Sequence, residues 1–503
     1  MAVWSWLDRR GCGIFFHISS LPSSQGIGCF DGAAYDFVEF LKSSAMKYWQ
    51  ICPLNPTSFG NSPYQSPSAF AGNPYFIDLR EFVALELIGE GNLSALKNLP
   101  HSSVHFGDLY EHFWPILRLA FENFQLSDAR SPEFEIFCKK SAWWLDDYAL
   151  FMAAKDKFGG RQCTQWPEKF STPEHAEMHL SADSKFKKSL EFHKFTQWMF
   201  ERQFRKLKAF ANENGIFIVG DIPIFVGEDS ADVWANRKIF KLRRDGTPSV
   251  VAGVPPDAFS KTGQLWGNPI YDWEALAAGD FSWWASRIKR CLELYDVVRL
   301  DHFRGFCDYW EIPAPAADAT RGKWTKSIGI KFFEHLGKIF PNAKFIAEDL
   351  GVLSANAINL LEKTGLPGMD VLHFAFDGNS CNKYLPHCHE RNSVLYLGTH
   401  DNDTTRGWFH ALPEEIKHQV RCYVRTDGND IAWDLIKTAY ASPSNLLILS
   451  MQDIFNLGTE ARFNKPSTVS GNWEWRATAD QFDRLREMGT PEYLCHLRST
   501  YGR

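Results

Sequence analysis

The 503-residue sequence predicts an α/β chain: a single (β/α)8 TIM barrel with inserted, mainly helical subdomains and no separate C-terminal domain. Three observations predict it. Eight short apolar, β-branched runs recur along the chain, and each ends abruptly in polar residues. Segments with helical spacing lie between most of them, as at 282–294 and 326–340. The runs are apolar on both faces, which suits parallel strands buried between layers rather than half-wet antiparallel ones. Alternating strand and helix then closes most simply as a barrel.

In order, the expected strands are 13–16 before His17, 48–52 before Pro53, and 216–220 before Asp221. Next come 297–300 before Asp301 and 345–347 before Glu348. The last three are 371–376 before Asp377, 394–397 before Thr399 and His400, and 446–450 before Gln452 and Asp453. In a barrel the residues just past each strand's C-terminal end line the active site. The spacing is uneven. The stretch between strands two and three is too long for a loop and carries Trp114, Trp143, Trp144, Trp166 and Trp198, so 80–215 is expected to be an inserted helical subdomain. A second insertion, 227–280, holds the Gly- and Pro-rich VAGVPPDAFSKTGQLWGNPIY and is expected to lie over the barrel mouth. After strand eight only one helix-sized segment is expected.

Composition narrows the partners. Fifty-four Lys and Arg against 60 Asp and Glu give a formal charge of −6 with no basic block, which argues against nucleic acid and anionic membranes. No apolar run approaches the ~20 residues of a membrane helix. The start, MAVWSWLDRR, lacks a secretion pattern, and the 11 scattered cysteines suit a reducing compartment. A cytoplasmic location is therefore expected. The excess of 19 Trp and 41 Phe fits both a large core and aromatic faces for sugar rings. The cluster Cys381, His387, Cys388 and His389 reads as a polar loop or as soft-metal ligands, and no metal is assigned to it. The N-x-S/T matches at Asn92 and Asn402 are read as chance.

Three segments carry chemistry. In VVRLDHFRGF, Arg299 and Asp301 are two apart on a strand and leave the same face. An arginine there would keep the aspartate ionised and aimed, as a nucleophile requires. In FIAEDLG, Glu348 follows an apolar strand, and a partly apolar mouth raises a carboxyl pKa into the range of a general acid. In GTHDNDTTRGW, His400 and Asp401 close strand seven. The bland alternatives are a structural Arg–Asp ion pair and ordinary polar strand ends, and HDND also suits a hard cation such as Mg²⁺ or Ca²⁺. No Walker loop, GxGxxG, HExxH or GxSxG pattern is present, so nucleotide, zinc-protease and serine-hydrolase chemistry lack support. Three carboxylates on one barrel face are what glycoside chemistry uses.

At these segments the sequence resembles the 4-alpha-glucanotransferase family, the amylomaltases or disproportionating enzymes of the alpha-amylase-like clan. The matching motifs run in order from RGCGIFFHISSLPSSQGIG, YWQICPLNP and GNSPYQSPSAFAGNPYFIDL through GDIPIFV and GVPPDAFSKTGQLWGNPIYDW. They continue with RLDHFRGF, AEDLG, GTHDND, MQDIFNLGTEARFN and GNWEWR. The resemblance is weaker over 95–200, and HFAFDGNSCNKYLPHCHE departs from the pattern. It implies a cofactor-free barrel that transfers an α-1,4-glucan segment with retention, acting on maltooligosaccharides and glycogen-derived chains; the alternative is an alpha-amylase-type α-glucan hydrolase. By the same resemblance Asp301 is the nucleophile, Glu348 the acid/base and Asp401 the transition-state stabiliser. Arg299, His400 and Asp221 would hold the donor sugar and Tyr64 would stack on it. Gln264 and Trp266 would lie on the acceptor side, with Asp377 as a further substrate contact. The two catalytic carboxyls are expected about 5–5.5 Å apart. The loop with Phe259 and Trp266 is expected to close over the acceptor against water.

Overall fold

The computed structural model describes residues 4–126, 132–180, 183–256 and 260–503. The eight barrel strands are β1 (Gly11–Phe15), β2 (Tyr48–Gln50), β3 (Phe217–Ile222), β4 (Val297–Leu300), β5 (Phe345–Ala347), β6 (Gly368–Val371), β7 (Ser393–Tyr396) and β8 (Leu446–Ser450). Except at β5 and β6, each strand pairs in parallel with its neighbours in sequence, and β8 returns to β1. Between β5 and β6 no ladder forms. That seam is held instead by the Ala347 N–H to Pro367 O at 2.9 Å and by the Met369 N–H to Asp349 Oδ1 at 2.6 Å. The sheet is therefore nearly closed, leaving almost no exposed edge.

The strands lie close to the sequence expectation because they are buried on both faces; every residue of β1, β4, β5 and β7 is buried. Two differ informatively. β3 runs on through Asp221, so that side chain leaves the sheet itself. β6 ends at Val371, and the rest of the expected 371–376 strand is a 3-10 turn, Leu372–Phe374. An apolar run has the same signature whether it is a buried strand or a buried turn. One glycine is required by close approach: a Cβ on Gly220, beside Asp221, would lie 2.2 Å from the Tyr295 ring.

Between β2 and β3 lie long helices Phe106–Leu126, Pro132–Lys157 and Ser184–Glu213. The last packs back on the barrel through a buried ion pair, Glu201 Oε2 to Arg290 Nη2 at 2.8 Å, with Arg290 also 5.1 Å from the Trp144 ring centre. Most of the aromatic excess is thus core: Trp49, Trp144, Trp198 and Trp284 are all buried. The second insertion is not simply a loop. Strands Val250–Val254 and Gln264–Pro269 join Asp308–Pro313 and Lys323–Lys326, which follow β4, in a four-stranded antiparallel sheet. Its β signal was hidden by the Gly and Pro content of one half and by the distance along the chain to the other.

Beyond the single turn Met451–Ile454, two longer helices rather than one follow β8, Ala479–Glu487 and Thr490–Thr500. Behind them Arg503 is buried, and its guanidinium donates to the carbonyls of Ala439, Tyr440, Ser442 and Ser444 at 2.8–3.1 Å. Charged hydrogen bonds each contribute about 1.5–3 kcal/mol, and a buried carbonyl left unpaired costs about 1–3 kcal/mol. Arg503→Ala should therefore lower the midpoint of thermal inactivation with little change in the activity of the folded fraction. An unchanged midpoint would show this cluster to be dispensable.

Candidate active site

In parallel register, Asp221 on β3 stands opposite Arg299 on β4, so both side chains enter the barrel together. Arg299 is 4% exposed; its Nη1 donates to Asp221 Oδ2 at 2.5 Å and to Asp301 Oδ1 at 3.1 Å. Its Nε faces Met369 Sδ at 3.4 Å. Burial works against the guanidinium charge, but Asp221 and Asp301 more than offset it and hold Arg299 protonated. Asp221 is itself pinned, accepting from the Ile222 N–H at 2.9 Å and from the Tyr64 hydroxyl at 2.7 Å. Burial and Asp221 push the Tyr64 phenol far up, so it stays a donor. The Tyr64 ring lies nearly parallel to His400, with centres 5.2 Å apart, and 5.7 Å from Trp473. These rings make a rigid aromatic wall beside the carboxylates.

Glu348 follows β5 directly. Its N–H donates to Leu300 O at 3.0 Å, and its carbonyl accepts from Phe303 N at 3.0 Å. The loops after β4 and β5 are thus fastened to each other by the backbone. The carboxylate accepts from His302 N at 2.7 Å and from Leu350 N at 3.1 Å. Asp401, after β7, accepts from Asn464 Nδ2 at 2.6 Å and has His400 Nε2 3.4 Å away. Arg462 holds its backbone carbonyl at 2.8 Å.

One cation therefore faces a group of carboxylates. Burial pushes Asp301 well above the usual carboxylate range; Arg299 opposes this, while Asp221, Glu348 and Asp401 add to it. Burial also raises Glu348, against Arg299 and the two N–H donors. The cluster keeps a proton to higher pH than separate carboxyls would, as a site with one acid and one base requires. His400 is lowered by burial and stays neutral near pH 7.

A family model described as 4-alpha-glucanotransferase matches residues 16–481. Among curated relatives, a 4-alpha-glucanotransferase of Thermus thermophilus is 44% identical, over 97% of this chain and 98% of that protein. One of Clostridium butyricum is also 44% identical, covering 97% and 99%. The chain belongs to the 4-alpha-glucanotransferase family. Its activity is 4-alpha-glucanotransfer, and the α-glucan hydrolase alternative is not favoured. Among solved structures, an amylomaltase from Streptococcus agalactiae in complex with acarbose superposes with a TM-score of 0.93 at 38% identity, covering 98% of this chain and 100% of that one. An amylomaltase from Corynebacterium glutamicum, at 17% identity and a TM-score of 0.77 over 98% of this chain and 75% of that one, shares the fold.

Against that family frame, the structure brings Tyr64, Asp221, Arg299, Asp301, Glu348, His400 and Asp401 together. Gln264 and Trp266 lie on the strand Gln264–Pro269, where Gln264 Oε1 accepts from the Trp266 indole N–H at 3.1 Å. Gln65 ties this strand to the loop bearing Tyr64, donating to Asn268 Oδ1 at 3.1 Å. Phe259 lies outside the described residues. Asp377 stands apart: it is exposed, beyond the turn that follows β6, and accepts from the Asn379 N–H at 2.9 Å. In HDND, Asp403 turns from Asp401 to Thr459 Oγ1 at 2.9 Å. The Cys/His segment is fastened to the helices that follow β7 as well as to itself: His389 bonds Ser442 Oγ and Tyr384 O, both at 2.8 Å, and His387 bonds Tyr423 OH at 2.9 Å. No helix among the described residues is long and apolar enough to cross a membrane. Sequence reasoning missed Arg462, Asn464, Trp473 and His302. The first three lie in EARFN and GNWEWR, where local patterning assigns no role to single residues, and nothing in the sequence marks His302 apart from its neighbour Asp301.

Proposed function

We propose that Asp301 is the nucleophile, Glu348 the acid/base and Asp401 the transition-state stabiliser of a retaining transfer between α-1,4-glucans. The observation that carries this is Arg299, whose one guanidinium nitrogen donates to both Asp221 and Asp301, while the His302 N–H sets Glu348. Glu348 gives its proton to the leaving glycosidic oxygen as an Asp301 carboxylate oxygen bonds the anomeric carbon. The freed chain end departs from the acceptor side. Glu348, now a carboxylate, takes the proton of an incoming sugar hydroxyl, whose oxygen displaces Asp301. Two inversions at one carbon give retention.

Tyr64, Asp221, Arg299 and His400 hold the donor sugar, Asp401 binds its hydroxyls, and Gln264 and Trp266 hold the acceptor. Asp377 is assigned to a more distant part of the glucan chain. The substrates are maltooligosaccharides and glycogen-derived chains, and the eleven unpaired cysteines support a cytoplasmic setting.

Incubation with maltotriose and EDTA tests the reading directly. Glucose together with a ladder of longer maltooligosaccharides is the expected result. Only shorter products, with reducing ends rising, would overturn it, and loss of activity to the chelator would point to a cation at HDND.

A further inference from the structure

His302 follows Asp301 directly and holds a strained backbone. Its φ is +49°, in the left-handed region that side-chain-bearing residues seldom occupy. That conformation directs its N–H to Glu348 Oε2 at 2.7 Å. Its ring stands edge-on to Trp266, with centres 5.0 Å apart at 90°. On another side it meets Gly305, where a Cβ would come 3.1 Å from the His302 ring. Its Nε2 is buried and has no hydrogen-bond partner among the described residues. Burial, with Arg304 adding, lowers the ring's pKa to about 4, so it is neutral packing rather than a charge.

We propose that His302 is a positioning residue: its N–H sets the acid/base Glu348 while its ring supports the acceptor platform at Trp266, so that a sugar hydroxyl rather than water meets the base. The inference rests on Glu348 being the acid/base and Trp266 lying on the acceptor side. The physical reason is spatial. The base and the platform that presents the hydroxyl to it are held by one residue, and any shift of Trp266 against Glu348 moves the acceptor hydroxyl away from its base. Removing the ring would also open a space beside Trp266. A water occupies about 30 Å³, less than an imidazole, and a water there would hydrolyse the glycosyl-enzyme.

Glycine and asparagine both accept the left-handed backbone, so His302→Gly and His302→Asn keep the N–H on Glu348 and remove the ring. Transfer conserves the number of reducing ends, whereas each hydrolysis adds one, so the two are separable with maltotriose alone. The expected result in both variants is a hydrolysis-to-transfer ratio raised about tenfold, the scale of one lost packing contact. The KM for glucose as acceptor should rise, while donor consumption falls far less. An unchanged ratio in both, at whatever total rate, would overturn the proposal and leave the Glu348 assignment standing. Glu348→Gln run beside them separates the two: full activity there would overturn the acid/base assignment itself.

Discussion

Asp301→Asn should reduce transfer by about 10⁴-fold or more, the range seen when a nucleophile acting within a coupled catalytic unit is removed. Asparagine keeps the size of the side chain and a carbonyl oxygen to accept from Arg299 Nη1, the contact seen at 3.1 Å. What it loses is the negative charge that must bond the anomeric carbon. Folding should be little affected, because Asp221 still pairs Arg299 at 2.5 Å. The decisive readout is covalent. With a fluorinated maltosyl donor that slows breakdown of the intermediate, the native protein should gain the mass of one glycosyl unit, and the variant should gain none. A mass gain at another carboxylate would move the nucleophile elsewhere in the cluster.

Glu348→Gln should cost about 10²–10⁴-fold, the contribution of general acid–base catalysis, and should also change the shape of the pH profile. Activity requires one carboxyl ionised and one protonated. It rises as the nucleophile loses its proton and falls as the acid loses its own. Burial raises both Asp301 and Glu348, so both limbs should lie above the ordinary carboxylate range of about 4. The apparent values belong to the coupled pair rather than to either residue. The groups facing it are Arg299, Asp221, Asp349 and Asp401. Glutamine cannot ionise, so the alkaline limb should vanish. A donor with a fluoride leaving group, which needs no proton, should recover most of the lost first step. A variant that keeps the native alkaline limb would show that another group supplies the proton.

The positions of Asp301, Glu348 and Asp401 were legible because a barrel converts chain order into space. A polar residue that ends a buried parallel strand emerges at the catalytic face, whatever its neighbours in sequence. Asp377 illustrates the limit of that rule. The apolar run before it looks like a strand, but the backbone leaves the sheet at Val371 and the carboxylate ends up exposed. The chain-wide excess of Trp and Phe fits either sugar contacts or core, and in the helical insertion Trp144 and Trp198 are buried in packing. Composition cannot tell a stacking platform from a core.

By itself, then, the sequence determined the barrel, the order of its strands and the carboxylates at their ends, since each depends on local patterning that burial enforces residue by residue. Only the tertiary structure decided how those groups act together. The bridging of Asp221 and Asp301 by one guanidinium, the hold of His302 on Glu348, and the pairing of Asn464 with Asp401 join residues far apart in the chain or in unrelated motifs. So does the small antiparallel sheet that carries Trp266, whose halves lie on either side of β4. These contacts arise when the strands close on one another and bury charge in a small volume, where each group's pKa and orientation depend on all the others.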